Sequence, residues 1–208
     1  MTRRILVTSP QEDIGKSSIA LGAACVLALR GEKSGYLVIA YVHGLGCEVD
    51  GEDWKPVEAD ESSRVSRYDL AEPGFAAELI AAELVLPTDA LGPVLAELVC
   101  SKLGGILRHA DYWICEWRLP SEFITEPIEK CFDEIWCLRD ARDPARLARC
   151  AWIDVPVIIE ASGSGTDRGI VREGSTRSFV NGVPFVFAEP AAGNSLSVAE
   201  LVMERLGG

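Results

Sequence analysis

Short apolar runs alternate with amphipathic stretches along most of the chain. An unbroken apolar run such as Tyr36–Val42 is typical of a strand that is buried on both faces of a parallel sheet. On this basis we predict strands over Arg4–Thr8, Tyr36–Val42, Tyr112–Glu116, Glu134–Leu138, Val155–Ile159 and Pro184–Phe187, with a short edge strand over Arg64–Leu70.

Apolar residues at helical spacing predict helices between these strands. The first helix carries its apolar face from Ile19 to Ala28 and closes at Arg30 and Gly31, a cation in the last turn followed by glycine. Further helices are predicted over Phe75–Leu84, Leu91–His109 with Thr88 or Asp89 as its cap, Ser121–Lys130, Asp143–Cys150, and from Ser195 or Ser197 to Leu206. The acidic, glycine-containing segment 43–63 is interpreted as irregular.

Strands that alternate with helices over the whole length predict an α/β fold, a three-layer sandwich with a mainly parallel central sheet. The chain has 208 residues, of which 48% are apolar, so it is long enough to bury a full core. We find no linker, repeat or low-complexity tract. The sequence therefore predicts one domain over residues 1–208.

The charge balance excludes several classes of partner. With 32 acidic and 20 basic residues the formal net charge is -12, which disfavours binding to nucleic acid or to an anionic membrane. No apolar run approaches the roughly 18 residues of a membrane-spanning helix, so we expect no integral membrane contact. Seven cysteines without a C-x-x-C pair favour the reducing cytoplasm, and with only two histidines a zinc site is improbable.

The candidate chemistry lies in the loop between the first strand and the first helix. A phosphate cradle needs backbone N–H groups at a helix N-terminus, a lysine for the phosphates and a hydroxyl for magnesium. The triplet Gly15-Lys16-Ser17 supplies these parts where the helix begins. The standard pattern has a further glycine five positions before Gly15, where this chain has Pro10.

The stretch Val7–Ala20 resembles the deviant Walker A motif of ParA/MinD-type P-loop ATPases, whose usual form is K-G-G-x-G-K-[ST]-[ST]. Its Ser-Pro lead-in and Ser-Ser-Ile-Ala exit look most like TadZ/CpaE proteins of tight-adherence pilus systems. The resemblance implies a MinD-like P-loop NTPase fold, ATP and magnesium as cofactors, and nucleotide contacts from Gly15, Lys16, Ser17, Ser18 and Glu116. Glu116 ends the strand that resembles Walker B, and Ser17 and Glu116 would hold the magnesium.

The chain departs from the family at several of these positions. Gln11 stands at the signature lysine, and Glu12 and Asp13 replace two glycines. Each carboxylate within ~5 Å of a phosphate would cost roughly 1 kcal/mol or more, and we expect Glu12 and Asp13 to complement the helix N-terminus in place of phosphate. After the second strand no carboxylate follows Ala40 as the family pattern requires. Binding of ATP and magnesium is therefore expected to be weak or absent, and we assign no catalytic residue.

These observations favour a degenerate ParA/MinD-like protein that acts as a localisation or assembly platform through a protein partner or self-association; if it is an enzyme, it is an ATP hydrolase. One alternative is an active ATPase that dimerises with ATP and positions cellular cargo, favoured by the intact Gly15-Lys16-Ser17 and disfavoured by Gln11. Another is an ATP-dependent ligase similar to dethiobiotin synthetase. That family has a lysine early in the second strand, which Gly35-Tyr36-Leu37 lacks.

Overall fold

A computed structural model describes residues 2–10, 16–41, 54–59, 63–72, 75–140, 157–162, 169–171 and 206. Its strands are β1 Arg3–Thr8, β2 Ser34–Ala40, β3 Trp54–Ala59, β4 Ser63–Glu72, β5 Phe75–Val85, β6 Tyr112–Trp117, β7 Glu134–Asp140, β8 Val157–Ser162 and β9 Gly169–Val171. Its helices are α1 Lys16–Leu29, α2 Gly92–Leu107 and the single turn α3 Glu126–Glu129, with a 3-10 turn at Ser121–Phe123.

Within the described residues the strands form one sheet in the order β3-β4-β5-β2-β6-β1-β7-β8-β9. The six strands from β5 to β8 in this order run parallel to one another. Antiparallel strands extend both edges, β3 and β4 beside β5 and β9 beside β8. The sheet is therefore mainly parallel, as the sequence predicted.

The two faces of the sheet bury separate apolar clusters. One cluster joins α1 to a face that includes Ile5, Val38 and Ile114. The other joins α2 and α3 to the opposite face, where Trp113 and Trp117 are fully buried. Side chains alternate between faces along a strand, so β6 contributes to both clusters. The result is the predicted three-layer α/β architecture.

The first β-α-β unit forms as predicted. Strand β1 supplies three fully buried residues, Ile5, Leu6 and Val7, and every residue of β2 is buried. Helix α1 closes at Gly31, whose φ of 84° lies in the left-handed region that glycine adopts without strain. Strand β6 inserts between β1 and β2, so the ends of these three strands lie side by side.

Gly35 is required by the close approach of β2 to a core tryptophan. It pairs with Trp113 of β6, and a Cβ atom at position 35 would lie 2.6 Å from the Trp113 ring. The indole nitrogen of Trp113 donates to the carbonyl of Leu107, which anchors the ring beneath α2. Two further tryptophans, Trp117 and Trp136, are fully buried like Trp113.

The helix predicted over Phe75–Leu84 is wrong, because this segment forms strand β5. It pairs in parallel with β2 and antiparallel with β4, so its backbone groups are satisfied on both sides. The fully or nearly fully buried Leu79, Ile80 and Ala82 occupy both faces. Sheet pairing and burial here outweigh the helical preference of an alanine- and leucine-rich segment.

The neighbouring predictions need two corrections. The strand predicted over Arg64–Leu70 is confirmed as β4, but it lies between β3 and β5 and is not an edge strand. The segment 43–63, interpreted as irregular, contains β3. Both errors follow from the wrong helix prediction over Phe75–Leu84. The hairpin of β3 and β4 pairs with β5, so it could not be expected while β5 was predicted as a helix.

The helix predicted over Leu91–His109 is confirmed as α2, although its cap is Leu91 without a side-chain hydrogen bond, and neither Thr88 nor Asp89. The helix predicted over Ser121–Lys130 is broken into the 3-10 turn and α3, which has a proline in its first turn. The predictions over Asp143–Cys150 and Pro184–Phe187 lie outside the described residues, as does the last predicted helix except for Leu206.

Candidate functional site

The carboxyl ends of β1, β2 and β6 lie side by side, and we call this end of the strands the carboxyl edge of the sheet. Open α/β folds bind their ligands there. Helix α1 begins at this edge with Lys16, directly after residues 11–15, which lie outside the described residues. The predicted contact residue Gly15 is one of these residues. Lys16 is half-buried, and Ser18 follows in the first turn of the helix. Their contact with nucleotide stays a prediction.

Glu116 lies at the centre of this edge. It pairs in register with Val7 of β1 and Val38 of β2, and its side chain is only 2% exposed. The hydroxyl of Ser17 donates to Glu116 Oε1 at 2.7 Å, and the hydroxyl of Tyr36 donates to Oε2. The structure therefore brings together Ser17 and Glu116, the two residues predicted to hold magnesium.

Arg118 completes the arrangement. Its Nη2 atom forms an ion pair with Glu116 Oε2 at 3.0 Å and also donates to Ser17 Oγ at 3.3 Å and Tyr36 Oη at 3.4 Å. The backbone N–H of Arg118 donates to the carbonyl of Ile39 at 2.9 Å, which ties the arginine to the end of β2. We call Ser17, Tyr36, Glu116 and Arg118 the Glu116 cluster.

Sequence reasoning missed two members of the Glu116 cluster. Tyr36 belongs to an apolar strand, where its buried hydroxyl needs a polar partner. Arg118 follows Glu116 by two positions, and a period of two places such residues on the same side of an extended chain. Both signals were present, but neither indicates which partner on another element the side chain meets.

The Glu116 cluster is a poor fit for the magnesium ion that the family resemblance implies. The Ser17–Glu116 hydrogen bond alone is compatible with a metal, since a serine oxygen keeps lone pairs while it donates. The ion pair is not, because Glu116 Oε2, which also accepts from Tyr36, is already paired with the cation of Arg118. Magnesium demands oxygen ligands in octahedral geometry at about 2.1 Å, and here a guanidinium nitrogen lies among the oxygens.

Other groups in the described part of the chain offer little metal or thiol chemistry. No cluster of three or more His, Cys, Asp or Glu residues suited to a metal ion is found there. The sulfur atoms of Cys100 and Cys131 lie 2.9 Å apart. Burial, with a smaller effect of Cys100, raises the pKa of the Cys131 thiol to about 12, so Cys131 stays protonated and weakly nucleophilic at neutral pH.

Comparison with known proteins identifies the fold. No family model and no curated protein matches the chain. The chain is similar to the structure of pNOB8 ParA, with a TM-score of 0.50 and 10% identity over 80% of this chain and 72% of that one. It is also similar to pNOB8 ParA bound to nonspecific DNA, with a TM-score of 0.46 and 8% identity over 73% and 58% of the two chains.

The chain is also similar to a ParA family ATPase from Chlorobium tepidum TLS, with a TM-score of 0.45 and 17% identity over 99% of this chain and 93% of that one. At 10% identity the likeness to pNOB8 ParA concerns the fold alone, and it agrees with the predicted α/β fold with a mainly parallel central sheet. In the described ranges no helix is both long and apolar enough to cross a membrane.

Proposed function

We propose that the chain is a degenerate ParA/MinD-like protein of the TadZ/CpaE type, a localisation or assembly platform with weak or absent nucleotide binding. The observation that carries this proposal is the Glu116 cluster, in which the residue at the Walker B position already pairs with an arginine of the same chain. Glu12 and Asp13 add two negative charges to the loop that would surround a triphosphate.

Calorimetric titration with MgATP and MgADP tests the proposal. We expect no sub-micromolar binding and no turnover approaching the order of one per second. Lys16→Ala is the matched variant: if wild type binds no nucleotide, the two proteins give the same trace. If wild type binds tightly and turns over rapidly, and Lys16→Ala loses both, the proposal is wrong and the chain is an active ATPase.

The active ATPase remains the second candidate because the triplet Gly15-Lys16-Ser17 is intact in the sequence and the fold is similar to that of pNOB8 ParA. Such an enzyme would form an ATP-dependent dimer. We expect light scattering to give the same mass with and without ATP, because Gln11 replaces the lysine with which the family reaches the partner's phosphates. An ATP-dependent doubling of mass would favour the second candidate.

The platform would act on a protein partner or on a second copy of itself, in the cytoplasm, and not on DNA. One related structure is that of pNOB8 ParA bound to nonspecific DNA. The present chain carries a net charge of -12, which opposes contact with a phosphate backbone. We expect fluorescence anisotropy to detect no binding to duplex DNA at low salt, where such contacts are strongest.

The ligase alternative gains no support from the described residues. The second strand, where dethiobiotin synthetase has its substrate-contacting lysine, is buried along its whole length as β2. Tyr36 of this strand directs its hydroxyl to Glu116. Because the strand lacks the lysine on which that resemblance depends, we do not propose this activity.

A further inference from the structure

One nitrogen atom of Arg118 lies among three side-chain oxygens from three different elements. Its Nη2 is 3.0 Å from Glu116 Oε2 on β6, 3.3 Å from Ser17 Oγ on α1 and 3.4 Å from Tyr36 Oη on β2. A guanidinium group carries a permanent positive charge and donates in several directions. Its position among these oxygens is the one that a bound cation would take between the same groups.

The charges of the Glu116 cluster are balanced without any added ion. An unpaired carboxylate that is as buried as Glu116 would carry a large desolvation cost, which one guanidinium offsets. A divalent cation at the same oxygens would lie a few ångströms from Arg118, so the two positive groups would repel each other. Magnesium and the present position of Arg118 therefore exclude each other.

We propose that Arg118 takes the place of a divalent cation at this edge of the sheet, so that the site excludes magnesium and any phosphate-bearing ligand binds without it. This inference rests on the proposed function only in regarding the edge as derived from a nucleotide site. It predicts that removal of the guanidinium opens a magnesium site between Ser17 and Glu116, because the buried carboxylate then lacks its counter-charge.

Thermal unfolding with magnesium chloride and no nucleotide tests this inference. Each variant is melted in 10 mM magnesium chloride and in potassium chloride of equal ionic strength. We expect the wild-type Tm to be the same in both salts, and the Tm of Arg118→Gln to rise by at least about 2 °C in magnesium. The double variant Glu116→Gln/Arg118→Gln lacks the carboxylate of the Glu116 cluster and should lose this response.

Arg4→Gln is the matched control, because it removes an arginine from Asp133, a carboxylate that is 40% exposed and hydrated. It should show no magnesium response. The inference is overturned if the wild-type Tm rises in magnesium, or if Arg118→Gln folds and does not respond. These melts contain no nucleotide, so they can fail while the proposed function stands, and the calorimetric test can fail while they succeed.

If Arg118→Gln does not fold, manganese binding to the wild-type protein decides the matter. The electron paramagnetic resonance signal of free Mn²⁺ falls when the ion binds to protein. We expect the wild type to leave this signal unchanged at millimolar manganese. A stoichiometric loss of signal that Glu116→Gln abolishes would show that the site takes a divalent cation in the presence of Arg118, and would overturn the inference.

Discussion

Two arginine–carboxylate pairs lie at opposite ends of the central strands and differ in burial. Arg118 and Glu116 meet at the carboxyl ends of the strands, with side chains 24% and 2% exposed. Arg4 and Asp133 meet at the amino ends of β1 and β7, with side chains 33% and 40% exposed. The distance between the guanidinium nitrogen Nη2 and the nearest carboxylate oxygen is 3.0 Å in both. The chemistry is therefore the same, and the surroundings differ.

The difference in surroundings decides what each pair does. Water can replace either partner of the Arg4–Asp133 pair. This pair joins two neighbouring strands, but it therefore adds little to the free energy of unfolding. Glu116 has almost no access to water and depends on Ser17, Tyr36 and Arg118 for its hydrogen bonds and counter-charge. The Glu116 cluster should therefore be sensitive to the loss of a single member, whereas the Arg4–Asp133 pair should not.

The largest effect is expected from Arg118→Gln. It leaves the buried Glu116 charge unpaired, and we expect the free energy of unfolding to fall by about 2 to 4 kcal/mol, because breaking a buried pair is costly. Glu116→Gln/Arg118→Gln removes both charges and should be less destabilised than Arg118→Gln. Urea unfolding of both variants measures the difference. A double variant that is no more stable than Arg118→Gln would contradict this account.

Tyr36→Phe should have the next largest effect. It removes a buried hydroxyl that donates to a carboxylate, and hydrogen bonds to charged groups contribute about 1.5 to 3 kcal/mol. Tyr41→Phe is the control, because the Tyr41 hydroxyl donates at 3.1 Å to an uncharged acceptor, the carbonyl of Ala90. Urea unfolding should give the larger loss for Tyr36→Phe. Equal losses would mean that the charge of Glu116 is unimportant for this bond.

A smaller effect is expected at the Arg4–Asp133 pair. The coupling energy from Arg4→Gln, Asp133→Asn and the double variant should be about 1 kcal/mol or less, as for other exposed pairs. The geometry is favourable, since Nη2 and Nε of Arg4 donate to the two carboxylate oxygens of Asp133. A coupling energy as large as that of the Arg118–Glu116 pair would show that burial does not cause the difference between the two pairs.

The smallest effect is a pH dependence at Asp133. Hydrogen bonds from Arg4 lower the pKa of the Asp133 carboxyl in the folded protein. A lowered folded pKa stabilises the fold above the unfolded pKa of about 3.9, and this contribution is lost as pH falls through the folded pKa. The stability difference between wild type and Asp133→Asn should therefore shrink as the pH is lowered from 6 toward about 3. A difference that is constant with pH would contradict the prediction.

The sequence by itself determined the β-α-β start of the fold and two members of the candidate site. The apolar runs of β1 and β2 and the glycine that ends α1 are local patterns, and local patterns can be recognised without knowing the partners of a segment. Ser17 and Glu116 could be paired in advance because carboxyl ends of parallel strands share one edge of the sheet.

The tertiary structure alone decided that residues 75–85 form a strand and that Arg118 and Tyr36 complete the site. Strand β5 exists because β2 and β4 lie on either side of it, and the partner positions are non-local. Arg118 meets Ser17 across 101 positions of the chain and Tyr36 across 82. Such contacts depend on which elements become neighbours, and an arginine near an acid in sequence carries no sign of whether water will reach them.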